Sequence, residues 1–487
     1  MKVNKKTQSN SNKKSSSNPK ANRHILILTY SMVLLFLGLG GYFSYFLLVD
    51  SNRVINNSYN ARLDRFADRV IRGEIVSNDG HVLAQTQVNE EGKEIRVYPY
   101  DSLFAHVVGY SVNGKTGLES LANFYLLSSH VNGVEQIINE LAGKKNPGDR
   151  VVTTLDLDLQ KTAYDALGNR KGAIIVMEPD TGKVLAMVSK PDYNPNTLLS
   201  DWDQLISKDN ATGQLLNRAT QGLYPPGSTF KIVTALESMR EDPEHYKEYT
   251  FDCHGVYQNG EYSIKCYHDT VHGHQNLTQA FANSCNGAFA NLGLNLDLGQ
   301  LKNTADGLLF NSELNLELPY KKSTYVLKSG ADIWPVLQTS IGQGQTQITP
   351  IHNAMITAAI ANGGTLMNPY FIDHVENVGG DVIKKNVPGS YGNLMTAQES
   401  AGLTDLMKAV VLEGTGSRLK TDVYTAAGKT GSAEFDKKKE THAWFVGFAP
   451  VEHPKVVISV IVEEGGSGGQ TAAPIAKTLF DLYFTKY

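Results

Sequence analysis

An uncharged run of 25 residues near the N-terminus, Ile25 to Val49, constrains this chain more than any other feature. At about 1.5 Å of rise per helical residue, the run crosses the roughly 30 Å hydrocarbon core of a bilayer with some tilt. A cleaved signal peptide is the alternative, but its apolar region is only about 7–15 residues long and ends in small residues. Here the apolar run continues past the glycines at 38–41. The pattern therefore favours an uncleaved transmembrane helix over residues 24–49.

The flanks of this run predict its orientation. Residues 1–23 contain seven Lys or Arg and no acidic residue, and they are rich in Ser and Asn. This composition is typical of a disordered tail, and the positive-inside rule places it in the cytoplasm. The remainder, which is then exported, carries 38 of the 45 basic residues and all 49 acidic ones, a net charge of −11. That balance argues against a nucleic-acid partner.

The exported part divides at a turn-rich stretch near residue 150. Residues 50–150 predict a small elongated module next to the membrane, with an amphipathic helix followed by a hairpin that turns at 79–80. The apolar face of that helix consists of Val54, Leu63, Phe66 and Val70. Residues 151–487 predict a mixed α/β (α+β) domain.

The pattern of the second domain is one of strands joined by short turns. Residues 172–189 read as a hairpin around Asp180-Thr181-Gly182, and residues 442–462 contain two further strands. A helix capped near Asp156 precedes them and a final helix starts at Ala472. Consecutive hairpins predict a mainly antiparallel sheet, and the remaining helical segments must cover its faces.

Three short motifs suggest chemistry. The first is Ser228-Thr229-Phe230-Lys231, directly after Pro225-Pro226-Gly227. Residues i and i+3 share one face of a helix, so Lys231 lies one turn from Ser228. We expect Ser228 in the first helical turn, where free backbone N–H groups and the helix dipole favour a developing anion. Burial lowers the pKa of a lysine, which lets Lys231 act as a base near neutral pH.

The other two motifs are weak on their own. Ser284-Cys285-Asn286 lies between two short helical runs, and Lys429-Thr430-Gly431 opens a strand that leads towards Ser432. A glycine in such a strand lets the backbone approach a substrate closely. Lys429 supplies a cation suited to a carboxylate. Each motif alone occurs by chance, so none of them identifies a site by itself.

Together the motifs resemble the set found in penicillin-binding proteins and serine β-lactamases. The chain is similar to class B penicillin-binding proteins of the short kind that accompany a membrane glycosyltransferase of the SEDS family. Further similar segments are "RGEIVSNDG" (72–80), "GKTGLE" (114–119), the domain start at 172–196 and "SIGQGQTQITP" (340–350). The chain departs from the family at "SNDG", where Asp-Arg-x-Gly is usual.

The resemblance implies a serine penicillin-recognising fold: an antiparallel sheet flanked by helices, with a mostly helical subdomain. It also implies peptidoglycan D,D-transpeptidation without a catalytic cofactor. Ser228 would be the nucleophile and Lys231 its general base, while Ser284 would pass a proton to the leaving amine and Asn286 would bind a substrate amide. The substrate implied is the D-Ala-D-Ala end of a stem peptide, and β-lactams would be trapped by the same serine.

The third motif would bind the substrate. In the family pattern Lys429 and Thr430 hold the terminal carboxylate, within the segment that continues through Gly431 and Ser432. The backbone N–H groups of Ser228 and Ser432 would form the oxyanion hole. Attack releases D-Ala and leaves an acyl-enzyme, which an amine from a neighbouring strand resolves as a cross-link.

Other activities remain open at this point. A class A β-lactamase needs a Glu-x-x-Leu-Asn loop after the second motif, and Glu313-Leu314-Asn315 has the wrong spacing. A D,D-carboxypeptidase would use the same residues with water as the acceptor. A non-catalytic scaffold that activates a polymerase would not need the motif residues, all of which are present.

The three cysteines raise a separate question. Cys253, Cys266 and Cys285 fall between the first and second motifs, beside His268, His272 and His274. Three thiolates and one imidazole are a normal tetrahedral zinc set, and we predict a structural site formed by Cys253, Cys266, His272 and Cys285. A disulfide between Cys253 and Cys266 is the alternative, favoured by the oxidising exterior. In either case Cys285 should point away from the cleft while its neighbours point in.

Overall fold

A computed structural model gives the fold in two units, Met1–Asn60 and Ala61–Tyr487. The residues that it describes are 19–47, 67–207, 209–210, 212–436 and 438–487. The first unit contains the helix Pro19–Tyr45. Of the described helices, this one alone is long and apolar enough to cross a membrane, over Arg23–Tyr45 with a mean hydropathy of 2.0. Residues 48 and 49 of the predicted span lie outside the described part of the chain.

A five-stranded antiparallel sheet forms the core of the second unit. In spatial order its strands are Ala427–Ala433, His442–Ala449, Val456–Val462, Gly172–Met177 and Val184–Lys190. The hairpin predicted around 180–182 and the two strands predicted within 442–462 are confirmed. The last four strands are buried along their whole length, because helices cover both faces of the sheet.

The covering helices come from distant parts of the chain. On one face lie Leu157–Leu167, which Asp156 caps as predicted, and the C-terminal helix Ala473–Lys486. The helix Pro350–Ala361 packs on the other face, and every one of its residues is buried. This apolar helix connects the sheet to the helical lobe.

The helical lobe contains the first two motifs. Its helices are Lys231–Glu241, Leu277–Ala282, Asn286–Asn295, Leu298–Gly307, Ile333–Ser340 and Ala397–Leu412. Two small antiparallel pairs extend from the lobe. They are Thr250–Cys253 with Gly273–Asn276, and Val256–Asn259 with Tyr262–Lys265. Cys253 ends the first of these strands, Cys266 follows the strand Tyr262–Lys265, and Cys285 precedes the helix Asn286–Asn295.

A second sheet runs across the predicted boundary at 150. In spatial order its six strands are Val382–Lys385, Ile372–Glu376, Arg150–Thr153, Ile75–Val76, Val82–Val88 and Glu94–Val97. The hairpin predicted at 79–80 is confirmed by the pairing of Ile75 with Ala84. The amphipathic helix predicted before it lies outside the described residues except for Val70. Val70 instead begins the strand Val70–Ile71, which pairs with Asn146–Pro147.

The remaining elements are short. The helices are Ala105–Val108, Gly117–Leu121, Asn123–Leu126, Gly133–Leu141, Leu198–Ile206 and Arg218–Gln221. The single helical turns are Asp101–Phe104, Gly227–Phe230, Tyr246–Glu248, Tyr267–Asp269, Ser417–Leu419 and Gly468–Ala472. A further strand pair joins Thr365–Met367 to Ser390–Asn393.

A buried ion cluster connects three segments of the region next to the second sheet. The Glu119 carboxylate, which is 0% exposed, accepts hydrogen bonds from Arg72 Nε and Arg96 Nε, both at 2.7 Å. Arg72 also donates to the side chain of Asn123 at 2.6 Å, and Tyr98 donates to Glu119 at 3.3 Å. Burial raises the pKa of Glu119, but the two guanidinium groups outweigh it and the net shift is downwards.

Candidate active site

Ser228 lies in the short turn Gly227–Phe230, which leads directly into the helix Lys231–Glu241. The structure therefore differs from the predicted position in an α-helix: the turn is a 3₁₀ turn, the tighter geometry common at helix ends. Gly227 has φ +54° and donates its N–H to the carbonyl oxygen of Gly342 at 2.9 Å. Ser228 itself is 9% exposed.

The backbone position of Gly342 explains why the Gly-Gln-Gly segment begins with glycine. Its φ is +78°, and a Cβ atom there would lie 1.9 Å from the carbonyl oxygen of Gly227. Such a contact is impossible, so only glycine lets this loop approach the Ser228 turn. On the other side, Trp444 Nε1 donates to Pro225 O at 3.0 Å. The turn that carries Ser228 is thus held from both sides.

Lys231 is fully buried and connects the first motif to the second. Its Nζ donates to Ser284 O at 2.7 Å, Ser284 Oγ at 3.3 Å and Asn286 Oδ1 at 2.8 Å. Burial lowers the pKa of Lys231 to about 8, although the nearby Cys285 and Cys266 thiols act to raise it. A lysine with this pKa can gain and lose a proton near neutral pH.

The second motif takes an unusual backbone conformation. Ser284 follows the helix Leu277–Ala282 with φ +55°, in the left-handed region that non-glycine residues rarely adopt. Cys285 then caps the next helix, since its Sγ accepts from Ala288 N at 3.4 Å. Asn286 Nδ2 donates to Lys265 O at 2.9 Å. This reversal directs Ser284 and Asn286 towards Lys231, a feature typical of functional sites.

The third motif lies on the strand Ala427–Ala433, at one edge of the five-stranded sheet. Lys429 is 0% exposed, and its Nζ donates to Thr430 O at 3.2 Å. Burial, and secondarily the charge of Lys231, holds the pKa of Lys429 well below its usual value. An anionic ligand would restore the charged form of this lysine.

Close backbone contacts join this strand to the Ser228 turn. A Cβ atom on Gly227 would lie 2.9 Å from Ser432 O, and one on Gly431 would lie 3.3 Å from Pro226 O. Gly468 N donates to Ser432 Oγ at 3.4 Å. Thr430 Oγ1 lies 2.6 Å from Thr415 Oγ1, a partner that no sequence signal indicated. The structure therefore brings the three motifs together: Lys231 contacts Ser284 and Asn286, and the strand of Lys429 packs against the Ser228 turn.

The predicted cysteine and histidine set also comes together. The ligand atoms of Cys253, Cys266, His272 and Cys285 all lie within 4.8 Å of one another. Cys266 Sγ lies 3.7 Å from both other sulfurs, and Cys253 Sγ lies 3.4 Å from His272 Nδ1. All three cysteines are free thiols. As predicted, the Cys285 side chain points to this cluster while those of its neighbours point to Lys231.

Two domains known from penicillin-binding proteins match this chain. The penicillin-binding protein transpeptidase domain matches residues 172–481, and the penicillin-binding protein A dimerisation domain matches residues 72–151. The peptidoglycan D,D-transpeptidase PbpA of Mycolicibacterium smegmatis is 31% identical over 459 residues, 88% of this chain and 91% of that protein. MrdA of Acinetobacter baumannii, also named a peptidoglycan D,D-transpeptidase, is 29% identical over 81% of this chain and 67% of its own length.

Solved structures agree with these matches. Penicillin-binding protein A from M. tuberculosis, in a ceftriaxone acyl-enzyme complex, superimposes with a TM-score of 0.78. The two sequences are 30% identical, and the match covers 86% of this chain and 99% of the M. tuberculosis chain. The D,D-transpeptidase domain from Eggerthella lenta gives a TM-score of 0.75 at 32% identity, over 85% and 99% of the two chains.

The sheet, its helical lobe and the cleft between them define a serine penicillin-recognising fold, as the resemblance implied. The length and the sequence identity of the matches show the family as well as the fold. The chain belongs to the class B penicillin-binding proteins, with a transpeptidase domain and the associated dimerisation domain.

Proposed function

We propose that the protein is a peptidoglycan D,D-transpeptidase that uses Ser228 as its nucleophile. The observation that carries this proposal is the set of contacts that joins the three motifs: Lys231 donates to Ser284 and Asn286, and the strand of Lys429 packs against the Ser228 turn. The M. tuberculosis relative of the same fold forms β-lactam acyl-enzymes. The substrate is the D-Ala-D-Ala end of a stem peptide, and catalysis needs no cofactor.

In the acylation step, Ser228 Oγ attacks the carbonyl carbon of the penultimate D-Ala. Lys231 accepts the hydroxyl proton. With a pKa of about 8, roughly one Lys231 in ten is neutral at pH 7 and ready to do so. Ser284, which contacts Lys231 through both its carbonyl and its hydroxyl, passes its hydroxyl proton to the departing amine and receives the proton that Lys231 took from Ser228. The peptide bond breaks, D-Ala leaves, and an ester to Ser228 remains.

The edge strand binds the substrate in this scheme. Lys429 and Thr430 hold the terminal carboxylate, and the N–H groups of Ser228 and Ser432 stabilise the oxyanion. Gly431 keeps this stretch free of a side chain where the substrate passes. Because the strand ends the sheet, its outer backbone groups can pair with an extended peptide.

In the second step an amine of a neighbouring stem peptide attacks the ester and regenerates Ser228. A carboxypeptidase would use water there instead. The two are separated by incubating the purified protein with uncross-linked glycan polymer and analysing the digested products by mass spectrometry. We expect cross-linked peptide dimers together with free D-Ala. Free D-Ala without dimers would favour the carboxypeptidase, and neither product would favour a non-catalytic scaffold.

Replacing Lys429 tests the carboxylate site. Loss of a hydrogen bond to a charged group costs about 1.5–3 kcal/mol, so Lys429→Ala should slow acylation by carboxylate-bearing β-lactams roughly 10- to 100-fold. The measurement is the second-order rate constant of acylation. Lys455→Ala, at an exposed lysine, is the control and should leave it unchanged. An unchanged rate in Lys429→Ala would remove this residue from the substrate site.

We also propose that Cys253, Cys266, His272 and Cys285 hold a structural Zn²⁺. A tetrahedral centre with Zn–S bonds of about 2.3 Å separates neighbouring sulfurs by about 3.8 Å, close to the observed 3.7 Å. The donor set, three thiols and an imidazole, suits zinc and leaves no open position for water activation. The four residues would fix the connection that carries Ser284 and Asn286.

The zinc proposal predicts about one metal ion per chain in protein purified without chelator. His272→Ala should lose the ion, whereas His274→Ala should keep it, because His274 is exposed and pairs with Asp252 at 2.8 Å. Metal analysis and a free-thiol count decide the matter. One disulfide, one free thiol and no bound zinc would support the alternative pairing of Cys253 with Cys266.

We further propose how the chain is arranged in the bacterial cell membrane. Residues 1–23 form a cytoplasmic tail, 24–49 span the bilayer, 50–150 form the membrane-proximal module and 151–487 form the transpeptidase domain outside. The basic flank of the span and its uncharged length support this orientation. The partner in this arrangement is a membrane glycosyltransferase of the SEDS family, which would polymerise the glycan that this protein cross-links.

Protease accessibility tests the orientation. Protease added to intact protoplasts should degrade the catalytic domain and leave a small fragment detectable through an N-terminal tag, because only the tail is cytoplasmic. A cytoplasmic marker protein must survive in the same sample. Survival of the catalytic domain would reverse the assigned orientation.

A further inference from the structure

Two aromatic rings stack on the surface of the helical lobe. Tyr262 and Trp334 have ring centroids 5.6 Å apart with an interplanar angle of 25°. Trp334 is 36% exposed, and Ile333 beside it is 43% exposed. Tyr262 is half-buried and packs against the core, so it supports the exposed ring of Trp334. Because burial of an aromatic side chain contributes much to core stability, a large ring left exposed in this way indicates a binding surface. We call these two residues the aromatic platform.

Carboxylates surround the aromatic platform. Glu261 hydrogen-bonds to Tyr262 and thereby raises the pKa of its hydroxyl. Asp332 is exposed at the start of the helix Ile333–Ser340 and makes no side-chain capping bond there. Flat apolar rings beside exposed oxygen acceptors suit a sugar, whose C–H face stacks on a ring while its hydroxyl groups donate to carboxylates. A purely apolar partner would leave these carboxylates desolvated and unpaired.

The distance from the platform to Asn286 is compatible with the length of a stem peptide. Tyr262 begins the strand Tyr262–Lys265, and Lys265 O accepts a hydrogen bond from Asn286 Nδ2 at 2.9 Å. Three residues of strand span about 10 Å. An extended peptide of about five residues spans at most roughly 17 Å. A stem peptide that reaches Ser228 can therefore keep its sugar end within reach of the platform.

The two elements that carry the platform residues both pack against the helix that begins with Asn286 of the second motif. The strand of Tyr262 and the helix of Trp334 each pack against the helix Asn286–Asn295. A ligand on the platform is thus positioned relative to Asn286 by rigid elements.

We propose that Tyr262 and Trp334 bind the glycan strand of the substrate, a polymer of amino sugars, and so position its stem peptide. The inference rests on the proposed transpeptidase function, since it assigns the sugar part of that substrate. A protein partner is the other occupant that such a surface could take, and the test distinguishes the two.

Binding of peptide-free glycan chains to the full-length protein in detergent, measured by calorimetry, tests the platform without any turnover. Removal of one aromatic contact of about 0.5–1.5 kcal/mol weakens binding roughly 2- to 12-fold, so Trp334→Ala and Tyr262→Ala should each raise the Kd by this factor. The double variant should lose more. Tyr391→Ala, at a tyrosine that is 41% exposed on another sheet, should bind like the parent protein.

Penicillin acylation serves as the folding control for these variants and should stay unchanged, because penicillin carries no sugar. Undetectable glycan binding by the parent protein, or equal binding by the parent and the double variant, would overturn the proposal. Parent protein that binds glycan but forms no cross-links would contradict the transpeptidase function and leave the platform assignment standing.

Discussion

Ser228→Ala should abolish covalent labelling by fluorescent penicillin. The alanine variant keeps the turn and the binding groups but lacks the oxygen that forms the ester, so acylation should fall by roughly 10⁴-fold or more. Labelling of the purified protein, read after denaturing electrophoresis, measures the effect. Mass spectrometry of the labelled parent protein should place the adduct on the peptide that contains Ser228.

The matched control lies on the helix that follows the Ser228 turn. Ser238 is buried at 7% exposure, ten residues beyond Ser228 and outside the three motifs. Ser238→Ala should therefore label normally. Thermal unfolding of both variants shows whether a loss of labelling is merely a loss of fold. Undiminished labelling of a folded Ser228→Ala protein would place the nucleophile elsewhere.

The second large effect is expected far from the cleft, at Glu119. Glu119→Gln removes the charge that neutralises Arg72 and Arg96 and leaves two buried guanidinium groups without a carboxylate partner. Breaking a buried ion pair in this way costs about 3–5 kcal/mol. The region that contains residues 72–123 should unfold at a lower temperature, which calorimetry or limited proteolysis can detect.

An exposed ion pair nearby provides the comparison. Glu74 pairs with Arg150 at 3.0 Å, but the two side chains are 33% and 43% exposed. Glu74→Gln should cost no more than about 1 kcal/mol because water solvates both partners. Equal stability of the Glu119 and Glu74 variants would mean that the buried cluster does not hold this region together.

Local signals in the sequence predicted the parts of the fold that depend on local interactions. Asp180-Thr181-Gly182 marks a tight turn between two apolar runs, and both strands form where the pattern places them. The grouping of the three cysteines with His272 was likewise expected from their types and positions, whereas zinc binding there stays a prediction. His272 lies in the cluster while His274 faces solvent, in agreement with the prediction.

Contacts between distant residues were not predictable in the same way. No local pattern indicates that Ser284 takes a left-handed conformation, or that Thr415 contacts Thr430. These features result from packing between the lobe and the sheet. The strand at Val70 shows the same limit: its apolar spacing suits a helix, but pairing with Asn146 determines the conformation.

The order of strands in the central sheet has a consequence for the timing of folding. Met177 pairs with Val457, so the two earliest strands of this sheet are joined to the three latest ones. Closing so long a loop is slow, and pairing between the early and late strands cannot compensate its entropy until the last strands have been synthesised. The edge strand with Lys429 belongs to that late group. Chains that end before residue 427 should therefore not react with penicillin, because the strand of Lys429 and its pairing partners are missing.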